Sequence, residues 1–249
     1  MAKPFDNFTF ENFNVNRKEN FFEELREKAQ KITSKNKNNY YEPILVDPNS
    51  RKSLCKSWWG KFWCKNLERY ADYENRIERG RKYLRNGAVI DLKIKGSDIS
   101  ANVLGGGWKP YKVKIKIDAL PEKQRLLIEK QASGKLQDLE SLINGNFPKD
   151  LEDLFFQKSG LFPSPAEIHF DCTCPDWADM CKHVAAALYG VGVRLDSNPL
   201  YFFQMRGINI DMFVDKVING KVQNMLANAN VDSPRIIKNA DLLQIFNLT

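Results

Sequence analysis

Residues 88–117 read AVIDLKIKGSDISANVLGGGWKPYKVKIKI and contain three runs in which apolar and polar side chains alternate. A period of two is typical of β-strands that bury one face. Gly96-Ser97-Asp98 follows the first run and Gly105-Gly106-Gly107 the second, and we expect turns there because glycine adopts a positive φ at no steric cost. The apolar positions are Ile90, Leu92 and Ile94, then Ile99, Ala101 and Val103, then Val113, Ile115 and Ile117. The stretch therefore predicts a small antiparallel β-meander.

The polar positions of the first and third runs are rich in lysine. They are Lys93 and Lys95 in the first run, and Lys112, Lys114 and Lys116 in the third. If the strands pair in simple register, these five side chains point the same way. We expect them to form a basic face on the outside of the sheet.

Segments with helical periodicity precede and follow the meander, so the sequence predicts an α+β fold with a helical C-terminal part. The predicted units are an N-terminal arm with a short helix (1–50), a basic α+β domain (51–160), a finger made of a short strand and a helix (161–207), and C-terminal helices (208–249). Within the first unit, residues 1–17 are expected to be extended and residues 17–31 helical.

Positive charge is concentrated in one region of the chain. The 249 residues carry a net charge of +7, but residues 51–116 alone carry +11 and the remainder −4. This asymmetry is typical of a protein that meets a polyanion with one region. An ordinary solvated basic surface is the alternative.

A cluster of basic residues precedes the meander. It consists of Arg76, Arg79, Arg81, Lys82 and Arg85, with Gly80 and Tyr83 between them. Arginine forks bind phosphate oxygens and tyrosine stacks on bases, so this cluster and the five lysines are the predicted nucleic-acid contacts. Alternatively, Glu74 and Glu78 pair with the arginines on an ordinary solvated helix face.

The sequence shows no membrane or export signal. Its longest nearly apolar run, Val184 to Val193, spans about ten residues, against roughly 20 for a bilayer crossing. The amino terminus lacks a basic start and an apolar stretch. We therefore expect a cytoplasmic protein with no membrane partner, whose cysteines are reduced.

Three of the five cysteines and one of the two histidines lie within twelve residues. They read Cys172-Thr-Cys174, six further residues, and Cys181-Lys-His183, between a predicted strand over 167–172 and a predicted helix over 181–193. Three thiolates and an imidazole are a ligand set for a tetrahedral structural Zn²⁺. Buried free thiols beside a surface histidine are the alternative. His169 is a rival ligand that we expect to face solvent instead.

The segment from Cys172-Thr-Cys174-Pro-Asp-Trp177 to Cys181-Lys-His183-Val-Ala-Ala186 resembles the SWIM zinc finger, a C-x-C-x(n)-C-x-H module of Swi/Snf-type helicases and Mutator-type transposases. Short motifs between residues 55 and 207 are similar to those of stand-alone bacterial SWIM proteins; they are Trp58-Trp59, Arg79-Gly80-Arg81, Pro110-Tyr111-Lys112-Val113, Phe147-Pro148 and Leu161-Phe162-Pro163. The resemblance implies zinc at the three cysteines and His183, and a DNA-binding or protein-interaction role beside a Swi/Snf-type ATPase. Met180 departs from the family, where proline often precedes the third cysteine.

Two classes of function are compatible with these features. The main prediction is a nucleic-acid-binding protein with no enzymatic activity and no small-molecule substrate. Four ligands close the metal site to water, and no G-x-x-x-x-G-K-[ST] motif supplies an ATPase. The alternative is a protein adaptor whose finger and basic surface dock a helicase or polymerase. Both functions need exposed charge, so the sequence does not separate them.

Overall fold

The computed structural model describes residues 10–35, 40–47, 53–68, 74–135, 155, 160–178 and 180–209, and isolated helical positions between 215 and 227. The predicted arm over residues 1–9 and most of the predicted C-terminal helices lie outside the described residues.

A four-stranded antiparallel sheet forms the centre of the described fold, which is α+β as predicted. Strands β1 (Val89–Lys95), β2 (Asp98–Val103) and β3 (Tyr111–Ile117) form the predicted meander, and β4 (Ile168–Cys172) pairs with β3. Val113 lies opposite Cys172 at one end of this last pairing. The strand expected in the finger therefore completes the sheet of the basic meander.

The two turns of the meander use glycine differently. Gly96 has a φ of +58°, as expected for the first turn. The prediction of positive φ is wrong for Gly105, Gly106 and Gly107, which do not have it. At Gly105 the constraint is space, because a Cβ there would lie 2.7 Å from Cε2 of Tyr111.

Helices make up most of the rest of the described fold. Among the described residues they are α1 (Phe10–Ser34), α2 (Trp58–Leu67), α3 (Glu74–Arg85), α4 (Glu122–Lys135), α5 (Lys182–Ser197) and α6 (Tyr201–Met205). The prediction of an extended arm is wrong over residues 10–17, which belong to α1. Extending an existing helix gains one hydrogen bond for each residue fixed, and this outweighs the weak helix propensity of the asparagines there.

Helix α5 is the most buried element of the core. Every residue from 183 to 192 is buried. On one side it crosses α3 so closely that a Cβ at Gly80 would lie 2.5 Å from Cβ of Ala185. On another side, Nε1 of Trp63 in α2 donates to the carbonyl oxygen of Leu188 at 2.8 Å. The long apolar run of the sequence is therefore a core helix. Within the described part of the chain, no helix is long and apolar enough to cross a bilayer.

Candidate functional site

The predicted ligand set comes together at one end of the sheet. The ligand atoms of Cys172, Cys174, Cys181 and His183 all lie within 4.8 Å of one another. Cys172 ends β4, Cys174 follows in a bend, Cys181 is the N-cap of α5 and His183 lies in its first turn. The turn between β4 and α5 thus returns the second pair of ligands to the first. The cluster could hold a metal ion.

The geometry and burial of the cluster fit a tetrahedral ion. Nδ1 of His183 lies 3.9 Å from Sγ of Cys181. Bond lengths of about 2.3 Å to sulfur and 2.1 Å to nitrogen would separate these two atoms by roughly 3.6 Å in a tetrahedron. Cys181 and His183 are buried, while Cys172 and Cys174 are half-buried. The separation of this one pair is therefore close to that in a tetrahedral site, and all four ligand atoms lie within 4.8 Å of one another.

Negative charge is unevenly shared among the three thiols. Hydrogen bonding from Cys172 lowers the pKa of the Cys181 thiol to about 4, although burial opposes this; contacts with His183 and the backbone N–H of Val184 lower it further. The same hydrogen bond, together with burial, raises the pKa of Cys172. A second and third thiolate at this distance repel the first, so full ionisation of the cluster requires a cation.

Two tyrosines enclose the imidazole of His183. The ring of Tyr111 lies 4.4 Å away, tilted by 30°, and the ring of Tyr83 approaches edge-on at 5.6 Å. Nε2 of His183 is buried and has no hydrogen-bond partner among the residues that the structure describes. Neither tyrosine was predicted for the site, because each lies at least 72 positions from His183 and no local pattern links them. Tyr83 is 6% exposed, so its expected role as a base-stacking residue is wrong.

The loop that carries Cys174 is fixed from both sides. Nη2 of Arg76 lies 3.1 Å from Oδ1 of Asp176, and this hydrogen bond is the main reason that the pKa of Asp176 is lowered. On the other side, the backbone N–H of Thr173 donates to the carbonyl oxygen of Lys112 at 3.1 Å and continues the β3 pairing, while Oγ1 of Thr173 accepts from the backbone N–H of Lys112 at 3.0 Å. Arg76, a predicted phosphate contact, is thus engaged within the protein.

The other basic residues of α3 have mixed surroundings. Nη2 of Arg81 lies 3.4 Å from Oε1 of Glu68, and Nζ of Lys82 lies 2.8 Å from Oε1 of Glu78. Arg79 is exposed, while Arg85 is half-buried. The predicted alternative paired Glu74 and Glu78 with the arginines; in the structure Glu78 pairs with Lys82, and Arg81 pairs with Glu68 instead. Whether these residues contact phosphates stays a prediction.

The five lysines of the meander share one face of the sheet, as the simple register predicts. Lys93 and Lys114 both lie opposite Ser100, while Lys95 and Lys116 both lie opposite Asp98. Lys112 lies opposite Asn102, which in turn faces Asp91, so it occupies the next row of the same face. We call this surface the lysine face.

Acidic residues interrupt the lysine face without covering it. Lys95, Lys112, Lys114 and Lys116 are exposed, and Lys93 is half-buried. Asp171 lies opposite Lys114, and His169 opposite Lys116. A shallow cavity of about 450 Å³ lies on this face, and its lining includes Lys95, Asp98, Lys114, Lys116, His169 and Asp171. His169 is exposed, as expected, and pairs with Asp118 at 3.1 Å rather than with the cluster.

The remaining two cysteines lie in the core. Sγ of Cys55 and Sγ of Cys64 are 3.4 Å apart, and both residues are buried. The hydrogen bond to Cys64 and burial raise the pKa of the Cys55 thiol. Cys55 therefore stays protonated at neutral pH and lacks the thiolate that a nucleophile needs.

Comparisons with known proteins add a relative without a known activity. The chain is 34% identical over 161 residues to a protein of Mycobacterium tuberculosis (strain ATCC 25618 / H37Rv) named uncharacterized protein Rv2102. The match covers 64% of this chain and 58% of the relative, so the chain spans less than two thirds of that protein. No family model and no solved structure matches the chain.

Proposed function

We propose that the chain is a non-enzymatic zinc protein that binds nucleic acid, DNA in particular, through the lysine face. The observation that carries this proposal is the strand register, which aligns five lysines on one face of the sheet. The metal cluster supports that face from one end, because Cys172 pairs with Val113, the neighbour of Lys112 and Lys114. We thus assign nucleic-acid binding to the sheet, and stabilisation of that end of the sheet to the metal.

Zinc is the ion that best suits the cluster. Three thiols and one imidazole form a donor set that favours Zn²⁺ in tetrahedral sites, whereas oxygen donors would favour Mg²⁺ or Ca²⁺. Four protein ligands fill a tetrahedral shell, which leaves no position for a reactive water. The metal is therefore proposed to hold β4, the loop after it and α5 together, with no catalytic step.

Charge supports a polyanionic partner. Four exposed lysines project from one face of the sheet, and Asp98 and Asp171 neutralise only part of their charge. Phosphate contacts by lysine act as point charges and do not require a particular base sequence. We expect affinity that depends strongly on salt and weakly on sequence.

The resemblance to stand-alone SWIM proteins extends the proposal to a protein partner. We propose that the chain acts beside a Swi/Snf-type ATPase or similar nucleic-acid machinery. Co-purification of such an ATPase with the tagged chain after nuclease treatment would support this, since nuclease removes contacts bridged by nucleic acid.

Fluorescence anisotropy with a labelled DNA duplex tests the nucleic-acid proposal. If four to six phosphates are engaged, log K should fall with log salt at a slope of about −4 to −5. Combined substitution of Lys112, Lys114 and Lys116 by alanine should flatten that slope by about three units, one for each lost contact. Alanine at the exposed Lys35, Lys123 and Lys130, which lie outside the sheet, is the matched control and should change little. Absence of binding at low salt would instead favour the protein adaptor.

A further inference from the structure

We infer that the nucleic acid bound here is single-stranded, with one base stacked on Trp108 in a groove at the end of the lysine face. This inference rests on the proposed function and specifies its substrate class. The groove lies between the β2–β3 loop and Thr173, at the start of the loop that carries Cys174, and measures about 570 Å³. Its walls are formed by Trp108, Lys109, Tyr111, Lys112 and Thr173.

Trp108 is one of two largely exposed tryptophans among the described residues; the other, Trp177, is 84% exposed and does not line the groove. Trp108 is 57% exposed, whereas Trp59 and Trp63 are buried in the core. An exposed aromatic ring offers a flat apolar surface that every nucleobase can stack on. The position of Trp108 on the wall of a groove makes one side of a base pocket.

Three lysines lie at or beside this aromatic wall. Lys109 and Lys112 are exposed and line the groove. Nζ of Lys28 lies 6.0 Å from the centroid of the Trp108 ring. It donates to the carbonyl oxygen of Gly106 at 2.9 Å and lies 3.5 Å from Oε2 of Glu24. A purely apolar ligand would have no use for these charges, whereas a base attached to phosphates satisfies both the ring and the lysines.

The groove is continuous with the lysine face through one residue. Lys112 lines the groove and also begins the row Lys112, Lys114 and Lys116 along β3. Alternate residues of an antiparallel strand are about 6.8 Å apart, so the three ammonium groups form a linear track. An extended phosphate backbone that follows this track brings its terminal base to Trp108.

This arrangement discriminates between single strands and duplexes. The bases of a duplex are stacked on one another, and exposing one of them costs unpairing and unstacking energy. A single strand presents its bases without that cost, so it gains the stacking on Trp108 as well as the phosphate contacts. Duplex DNA gains the phosphate contacts alone.

Anisotropy titrations of the full chain with an oligo(dT) strand, and with the same strand annealed to oligo(dA), test this inference. The single strand should bind more tightly at equal salt. Trp108→Ala and Trp108→Leu should each weaken single-strand binding by about 5- to 150-fold, the worth of one stacked base. Trp108→Phe should retain most of it, because phenylalanine keeps an aromatic face. The duplex affinity should be the same for all four proteins.

The outcomes separate this inference from the proposed function. Equal affinity for strand and duplex, unaffected by Trp108→Ala, would overturn the single-strand inference and leave DNA binding by the lysine face intact. Loss of binding in Trp108→Phe as severe as in Trp108→Ala would overturn the stacking role. Binding of neither nucleic acid, with binding of a polyglutamate peptide, would overturn both. Far-UV circular dichroism and metal content should match the parent in every variant.

Discussion

The ring of Tyr111 lies against the imidazole of His183, with 4.4 Å between the ring centroids. Tyr111 begins β3, and the next residue along the strand, Lys112, belongs to the lysine face. His183, a candidate metal ligand in α5, is thereby packed against the strand that carries the proposed binding residues. The state of the metal cluster should therefore influence nucleic-acid affinity, although no ligand side chain belongs to the lysine face.

Removal of the metal should disorder the end of the sheet. Metal analysis of the protein purified without added metal should give one zinc for each chain, and His183→Ala should lose it. The free energy of zinc binding in such sites, roughly 10–16 kcal/mol, is coupled to folding. Chelation should therefore raise the rate of amide hydrogen exchange in β4 and at the start of α5. Zinc added back should restore protection. A metal-free protein with unchanged exchange in these segments would contradict the structural role.

Gly105→Ala should weaken metal retention. The added Cβ would lie 2.7 Å from Cε2 of Tyr111 and 3.6 Å from Nε2 of His183, so the tyrosine must shift from the imidazole that it covers. Competition with a chromogenic chelator should show faster metal loss than in the parent. Gly107→Ala is the matched control, because a Cβ there has no heavy atom within 4 Å. Equal retention in the two variants would show that Tyr111 does not support the site.

Gly80→Ala should destabilise the fold without a direct effect on binding. Its Cβ would lie 2.5 Å from Cβ of Ala185 and 2.9 Å from the backbone nitrogen of Ala186. Forcing α3 away from α5 should cost about 1–3 kcal/mol of unfolding free energy, as other overpacked cores do. Denaturant unfolding measures this cost, again with Gly107→Ala as the neutral comparison. Unchanged stability would show that α3 and α5 can move apart at this crossing without cost.

Acid should weaken the fold partly through Glu167. Burial alone would raise the pKa of this carboxyl, but hydrogen bonds from Arg206 and Ser164 outweigh it and hold the pKa below the ordinary 4.5. Arg206 is fully buried, with Nη2 2.6 Å from Oε1 of Glu167. A carboxyl with a lowered folded pKa contributes stability above its unfolded pKa and loses it as the pH falls through the folded value.

Denaturant unfolding from pH 7 down to pH 3 tests this contribution. Glu167→Gln should be less stable than the parent at pH 7, and the difference should shrink as the pH falls below about 4.5. Comparing the two proteins at each pH cancels the effect of acid on the cysteines. A difference that stays constant over this range would show that the charge of Glu167 contributes nothing.

Local patterns were sufficient to predict the strands and the clustering of Cys172, Cys174, Cys181 and His183. The alternation of apolar and polar residues in 88–117 indicates strands without knowledge of any distant contact. The three cysteines and His183 lie within twelve residues, so a single turn is enough to bring them close together. Contacts between distant residues were not predictable in this way. Arg76 meets Asp176 across 100 positions, and β4 joins β3 across an intervening helix. Arg76 was predicted to contact a phosphate from its charge alone, because the sequence does not show that Asp176 lies beside it.

The contacts of His183 with Tyr83 and Tyr111 could not be predicted for the same reason, because they join residues that are far apart in the sequence. Tyr83 and Gly80 stand among basic residues in the sequence, which suggested a binding segment. The structure turns both inward, because α3 presents them to the buried helix α5. An amphipathic period in α3 identifies its inner face, but only the position of α5 shows what that face contacts.

Lysine footprinting by acetylation and mass spectrometry is the most direct test of the lysine face. The zinc-loaded chain is treated with a limiting acetylating reagent, with and without DNA at low salt. We expect protection of Lys112, Lys114 and Lys116 on the sheet, and unchanged acetylation of Lys35 and Lys123 outside it. Protection confined to other lysines, with the sheet modified equally in both samples, would contradict the account.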